Sequence, residues 1–198
     1  LDYWIIKVDA DGVKEWDKTY GGSSYDYLKE IVKTSDGGYL LAGQSQSGAS
    51  GEKTQASQGY LDYWIVKINS SGTKLWDKRF GAGQYEYFGS AIQTSDDGYL
   101  IAGRTTTSDI SGDKSEVNVG GDDIWLVRTD SSGNKIWDKT IGGSGQDIAS
   151  SVIQISGGNF LLGCYTNSGI SGDKTGDCIG VYDCWFMKIS TDGDVLSD

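Results

Sequence analysis

Three glycine-rich stretches carry the residues best suited to chemistry. They read Gly21-Gly22-Ser23-Ser24-Tyr25-Asp26, Gly81-Ala82-Gly83-Gln84-Tyr85-Glu86 and Gly142-Gly143-Ser144-Gly145-Gln146-Asp147. A carboxylate closes each stretch, preceded twice by tyrosine and once by glutamine. Gathered around one opening, such side chains hold a cation or sugar hydroxyls, and the tyrosines offer flat faces for stacking. Paired carboxylates also run glycoside hydrolysis without histidine, so Asp26, Glu86 and Asp147 are the acids a glycan hydrolase or lyase would use. The structural alternative is that each acid accepts backbone N–H groups of its own turn. Recurrence in every unit favours that alternative over catalysis, because a catalytic pair needs two different environments. The expected ligand-binding set is Tyr25, Asp26, Tyr85, Glu86, Gln146 and Asp147, with no catalytic residue.

A second acidic set lies in longer loops. Ser50-Gly51-Glu52-Lys53 returns as Ser111-Gly112-Asp113-Lys114 and Ser171-Gly172-Asp173-Lys174, with Glu116, Asp122 and Asp177 nearby. Calcium takes several oxygen ligands, and it is the one metal such loops suit. No loop follows a full calcium pattern, and Lys53, Lys114 and Lys174 stand ready as internal counter-ions, so no cofactor is expected. Asp9-Ala10-Asp11-Gly12 opens like a calcium loop, but its counterparts Asn69-Ser70-Ser71-Gly72 and Asp130-Ser131-Ser132-Gly133 do not keep the acids. It reads as a hairpin turn.

Composition removes other chemistries. There is no histidine among 198 residues, which excludes Ser-His-Asp triads and histidine-type zinc sites. A net charge of −11 repels a phosphate backbone and an anionic membrane surface. The three cysteines, Cys164, Cys178 and Cys184, all fall in the last part of the chain. A disulfide between Cys164 and Cys178, stapling the intervening loop, is one reading; three unpaired small side chains are the other. No segment approaches the ~20 apolar residues of a membrane helix, no signal peptide is visible, and the chain opens directly on a repeat strand, as an excised piece would.

The elements that must position these residues repeat. Asp2-Tyr3-Trp4, Asp62-Tyr63-Trp64, Asp123-Ile124-Trp125 and Asp183-Cys184-Trp185 recur about every sixty residues. Between them come Trp16-Asp17-Lys18, Trp76-Asp77-Lys78 and Trp137-Asp138-Lys139, and these two sets hold all seven tryptophans. The chain therefore reads as one repeat domain, 1–198, with units near 2–61, 62–122 and 123–182 and a partial unit 183–198. Asp62–Ile68 has strand length and is apolar on both faces, with Trp64, Val66 and Ile68 opposite Tyr63, Ile65 and Lys67. Strands are also expected over 73–80, 87–94, 99–105, 123–129 and 136–141, joined by Gly-rich turns. No segment shows helical periodicity.

Four antiparallel strands per unit is the pattern of a β-propeller blade. Counted along the chain, the pattern gives thirteen strands, an arc of a propeller or one completed by further repeats or other chains. A β-trefoil is the alternative all-β fold. In a blade, the strand with Gly89 and Ser90 lies innermost, and Trp16, Trp76 and Trp137 fill the wedge between neighbours. The glycine-rich stretches and the long acidic loops then share one face, where a ligand is expected.

The pattern D-Y-W-x-x-K followed by G-x-x-x-W-D-K and T-S-D-G-G-Y-L-L-A-G resembles the sixty-residue propeller repeat of secreted and surface proteins of Bacteroidetes, many of them type IX secretion substrates. Gly12/Trp16, Gly72/Trp76 and Gly133/Trp137 also resemble the tryptophan-docking motif of quinoprotein-like propellers, without that family's cofactor residues. The resemblance implies a secreted or cell-surface scaffold for adhesion, binding a glycan or a protein and needing neither nucleic acid nor membrane insertion. A spacer without any ligand is the remaining alternative.

Overall fold

β-Branched and aromatic residues in alternation, cut by Gly, Asn and Asp, leave the backbone little choice but short strands and tight turns. The computed structural model, which describes all 198 residues, has that form. Sheet I holds β1 (Tyr3–Val8) and β2 (Lys14–Tyr20). Sheet II holds β3 (Asp26–Lys33), β4 (Tyr39–Ser45), β5 (Asp62–Ile68) and β6 (Lys74–Phe80). Sheet III holds β7 (Glu86–Gln93), β8 (Tyr99–Thr105), β9 (Asp123–Thr129) and β10 (Lys135–Ile141). Sheet IV holds β11 (Asp147–Gln154), β12 (Phe160–Thr166), β13 (Asp183–Ile189) and β14 (Val195–Ser197), with one 3-10 turn at Ser156–Gly158. Every strand pairing is between chain neighbours and antiparallel, the arrangement of propeller-like sheets; the single parallel bridge, Leu61 to Tyr85, lies outside the strands. No strand joins two sheets into a barrel, so nothing supports the trefoil alternative.

As the blade reading expects, each inner pair joins the outer pair of the following unit in one sheet. Two differences from expectation are instructive. Asp26, Glu86 and Asp147 begin the inner strands rather than close the loops before them. A fourteenth strand, β14, ends sheet IV although Ser197 replaces the tryptophan of its counterparts.

Packing runs sheet to sheet. Tyr3, Ile5 and Tyr20 of sheet I meet Leu41, Trp64, Val66 and Ile68 of sheet II. Leu40, Ala42, Tyr63 and Ile65 on the other face of sheet II meet Ala91, Tyr99, Ile101, Trp125 and Val127 of sheet III. Leu100, Ala102, Ile124 and Leu126 meet Val152, Phe160, Leu162 and Met187 of sheet IV. The two-sided apolar character of Asp62–Ile68 is thus explained: every residue of β5 is buried, between two neighbours. Tyrosine hydroxyls cross the same boundaries, from Tyr3 to the Trp64 carbonyl (2.9 Å) and from Tyr63 to that of Trp125 (3.3 Å).

The repeated Trp-Asp-Lys does two jobs. Its indole lies against the turn glycine of the next sheet: Trp16 on Gly72, Trp76 on Gly133, Trp137 on Gly193. Those glycines need both their positive φ (78°, 75° and 92°) and their missing Cβ, which at Gly133 would come 2.9 Å from the Trp76 ring. The aspartate works within its own sheet. Trp64 Nε1 donates to Asp77 at 3.1 Å, and Trp125 to Asp138 and Trp185 to Asp198 at the same distance. The same carboxylates accept the N–H of Thr54, Ser115 and Thr175 from the long loops. Asp198 keeps this bond in sheet IV, which is why β14 forms without its tryptophan. At the inner edge, a bulge recurs at Leu28/Glu30, Phe88/Ser90 and Ala149/Ser151. Gly89 sits in one of them; a Cβ there would lie 2.2 Å from the Ala149 carbonyl oxygen.

The recurrent cations of β1, β5 and β9 are paired, Lys7 with Glu15 (2.6 Å), Lys67 with Asp36 (2.8 Å) and Arg128 with Asp96 (2.5 Å). The three cysteines are free, which corrects the Cys164–Cys178 disulfide reading. Cys164 points into the core between sheets III and IV. Cys178 lies in the loop, its thiol on the Thr166 and Gly180 carbonyls. Burial pushes the Cys164 thiol up to about 12. Thiol titration of the native protein with a disulfide reagent should therefore label exposed Cys184 first and leave Cys164 unreacted until denaturant is added. Finding fewer than three thiols in the unfolded, unreduced protein would show a disulfide after all.

Candidate functional site

The loops that open the inner strands and the long acidic loops interlock on one face. Gly21, Gly81 and Gly142 carbonyls accept the N–H of Glu52, Asp113 and Asp173 at 2.8, 2.8 and 2.9 Å. Each long loop wraps a buried lysine. Lys53 Nζ donates to the Ser47 carbonyl (2.8 Å) and Ser57 Oγ (2.7 Å). Lys114 and Lys174 hold the carbonyls of Glu116 and Gly176. Burial pulls Lys53 down to about 8.

The expected ring of ligand-facing acids is not there. Asp26, Glu86 and Asp147 are 1%, 0% and 0% exposed. Asp26 accepts Gly22 N–H (2.7 Å) and Ser47 Oγ (2.9 Å). Glu86 accepts Ala82 N–H (2.9 Å), Thr105 Oγ1 (2.8 Å) and Thr107 Oγ1 (3.0 Å). Asp147 accepts Gly143 N–H and Ser168 Oγ, both at 2.8 Å. The turn-binding alternative describes them, and they leave the ligand-contacting set. The physical reason is that each starts an inner strand beneath its own Gly-rich turn, whose N–H groups and neighbouring Ser or Thr hydroxyls close over it. A second acid shares two of these places, Asp62 near Glu86 and Asp123 near Asp147. A Cβ on Gly142 would touch Asp123 Oδ1 (2.5 Å) and Asp147 Oδ2 (3.0 Å). Burial drives Asp123 up to about 6, with Asp147 adding to the rise, and drives Glu86 up to about 7.

The acidic loops converge on no metal: no three Asp, Glu or Cys side chains gather as ligands. Their acids have other partners. Asp113 pairs with Arg79 (2.5 Å), Glu116 with Lys139 (3.2 Å), Asp122 with Arg104 (2.9 Å) and Glu52 with Lys74 (3.4 Å). Asp173 takes Gly142 N–H (3.0 Å) and Asp177 the N–H of Cys178 (2.9 Å).

What the face does present is tyrosine. Tyr60, Tyr85 and Tyr87 form a continuous stack, with ring centroids 5.0 and 5.8 Å apart and interplanar angles of 18° and 10°. The Arg104 guanidinium lies over the Tyr87 ring at 4.5 Å and is paired with Asp122. Tyr25 stacks on Tyr27 at 6.0 Å in sheet II. Tyr60 is 59% and Tyr25 51% exposed. In sheet IV the place is taken by Gln146, whose Oε1 accepts the Tyr182 hydroxyl at 2.5 Å. The structure thus keeps Tyr25, Tyr85 and Gln146 at the surface and adds Tyr27, Tyr60, Tyr87, Arg104, Asp122 and Tyr182. The signal for Tyr27 and Tyr87 was legible, since residues two apart share a strand face. Tyr60 arrives from a long loop, which no local pattern foretells.

No family model and no characterised protein matches the sequence. In structure the chain is similar to a protein of unknown function from Bacteroides caccae, solved at 1.35 Å, with a TM-score of 0.52 and 11% identity. The match covers 99% of this chain and 57% of that one. This likeness concerns the fold alone.

Proposed function

We propose that the chain is part of a β-propeller and acts as a glycan-binding scaffold at the cell exterior, without catalysis. The observation that carries this reading is the Tyr60–Tyr85–Tyr87 stack, in which Tyr60 is exposed and Tyr85 and Tyr87 are half-buried, with Arg104 over the Tyr87 ring. Sugar rings lay their C–H faces on tyrosine, and rigid rings lose little conformational entropy on binding. Tyr60 is the exposed ring of the stack, so a ligand approaches there and along the ring edges, with Tyr25 and Gln146 on adjacent sheets. Hydrolysis is the less favoured reading, because Asp26, Glu86 and Asp147 are buried and each accepts donors of its own turn. A protein ligand is the second reading, favoured by the Tyr-Arg composition of the patch, which is typical of interface hot spots. The extracellular setting rests on the resemblance of the repeat to those of secreted and surface proteins.

Titration with a panel of soluble polysaccharides tests the reading. Tyr60→Ala and Tyr85→Ala should each weaken binding about tenfold, the size of one lost aromatic stack. The melting temperature should stay within a few degrees of the parent, since Tyr60 is exposed and Tyr85 is only half-buried. If the intact protein binds neither glycans nor proteins, it is a spacer.

A further inference from the structure

We infer that the free edge of β1 is a docking site for a β-hairpin with the sequence character of this chain's own inner strands. β5, β9 and β13 are each paired on their inner side over seven residues, in one register, by β4, β8 and β12. β1 has the same sequence character and pairs only with β2. Sheet I already occupies the position of a full sheet. The Leu1 carbonyl accepts the Asp26 N–H at 2.7 Å, as the Leu61 carbonyl accepts Glu86 N–H and that of Asp122 accepts Asp147 N–H.

The space beside β1 is an apolar groove of about 280 Å³, walled by Ile6, Val8, Trp16, Ile31 and Tyr39, with Lys7 its only polar side chain. Ile31 is 51% exposed there, while its counterparts Ala91 and Val152 are 1% and 3% exposed. The difference has a single cause. Ala91 is covered by Leu40 and Ala42, and Val152 by Leu100 and Ala102, each pair borne by an inner hairpin of the preceding sheet. No such hairpin lies over Ile31.

The occupant is therefore specified by chemistry and register. Its second strand runs antiparallel to β1, with an aromatic residue opposite Val8, leucine opposite Lys7, leucine or isoleucine opposite Ile6, and small residues opposite Ile5 and Trp4. This follows Tyr39-Leu40-Leu41-Ala42-Gly43 on β5 and its two repeats. An exposed strand edge supplies the backbone bonds, and side-chain pockets supply specificity. A second copy of this chain is a poor donor, because its three inner hairpins are all paired within their own sheets.

The probe is a synthetic peptide of residues 86–105, with hydrogen exchange of the β1 amides as the readout. Saturable one-to-one binding that slows exchange across Tyr3–Val8 about tenfold or more is expected. The peptide carrying Leu100→Asp and Ala102→Asp should not bind. A peptide hairpin can fail to fold alone, so a fusion accompanies it, with residues 86–121 joined directly ahead of Leu1. It should raise Tm by ~5 °C or more and protect β1. Unchanged Tm and exchange in the fusion would overturn the inference. So would peptide binding that leaves β1 unprotected, or an intact protein already dimeric with β1 protected by a second copy.

Discussion

Asp138→Ala should unfold the protein at markedly lower temperature, with a loss of about 3 kcal/mol in stability. The carboxylate is 5% exposed and accepts three donors: Trp125 Nε1 (3.1 Å), Ser115 N–H (2.8 Å) and Lys135 Nζ (2.7 Å). Its removal strands the indole N–H and a loop N–H in a dry setting, at roughly 1–3 kcal/mol each. Lys135 adds less, being partly in water. For a chain of this size, each kcal/mol shifts Tm by roughly 2–4 °C, so a fall near 10 °C is expected. The charge state follows the same contacts. Burial pushes the Asp138 carboxyl up, but Lys135, the Ser115 N–H and the Trp125 indole outweigh it and hold it below the usual range. A lowered folded pKa gives stability that is present above the unfolded value and lost as pH falls through the folded one. Asp138→Ala should therefore also flatten the acid limb of the stability curve. Asp17→Ala is the control, because Asp17 lies in the open with Trp4, which is 61% exposed. An Asp17 variant as damaged as the Asp138 variant would show that the motif acts through the denatured state instead.

The same motif shows how far the sequence could be read. Spacing alone located Trp16, Trp76 and Trp137 between sheets, because a large aromatic at a strict interval has few other uses in a repeat. The role of the aspartate was not legible, since its donors come from a strand thirteen residues away and from a loop farther off. Sheet IV is the telling case. Ser197 breaks the tryptophan pattern and argues for no strand, yet Asp198 stands thirteen residues after Trp185, the interval that separates Trp64 from Asp77. That interval was the better guide.

The loop face divides in the same way. Recurrence pointed the acids toward turn architecture, yet Asp26, Glu86 and Asp147 were still expected at a ligand and are buried instead. A repeated i, i+2 tyrosine pair was there to be read at 25/27 and 85/87. The third ring of the stack was beyond reach, because the Tyr60 and Leu61 N–H groups fix that loop by bonding the Gln84 carbonyl, twenty-odd residues ahead. Only folding brings Tyr60 over Tyr85. The cysteine pairing failed for a simpler reason. Cys164 faces into the core between sheets III and IV, while Cys178 lies out in the loop with its thiol on the Thr166 and Gly180 carbonyls.

Stability should fall, not rise, between pH 5 and pH 7.5, and Glu86→Gln should remove most of the fall. Burial pushes Glu86 up from 4.5 to about 7, against the opposing pull of Ala82 N–H and two threonine hydroxyls. The sign is the reverse of the Asp138 case. As pH rises past the unfolded value, the unfolded chain releases the proton while the folded one keeps it. The folded state then binds more protons, so stability declines until the folded value is passed. The full cost is about 3 kcal/mol, at 1.36 kcal/mol per unit of pKa, reached near neutrality. Asp123, raised to about 6, contributes in the same direction over a lower range. The chain has no histidine, so no imidazole titrates across this window and obscures the effect. Lys53, pulled down to about 8 by burial, acts mainly above it. Glutamine keeps an oxygen for the Ala82 N–H, and its amide can donate to the hydroxyls that Glu86 accepts from. Urea midpoints at the two pH values decide the matter. The parent should lose stability toward pH 7.5, and the variant should lose less and become the more stable protein there. If the variant is weaker at both values, Glu86 is ionised throughout and its three donors, rather than its burial, set its charge.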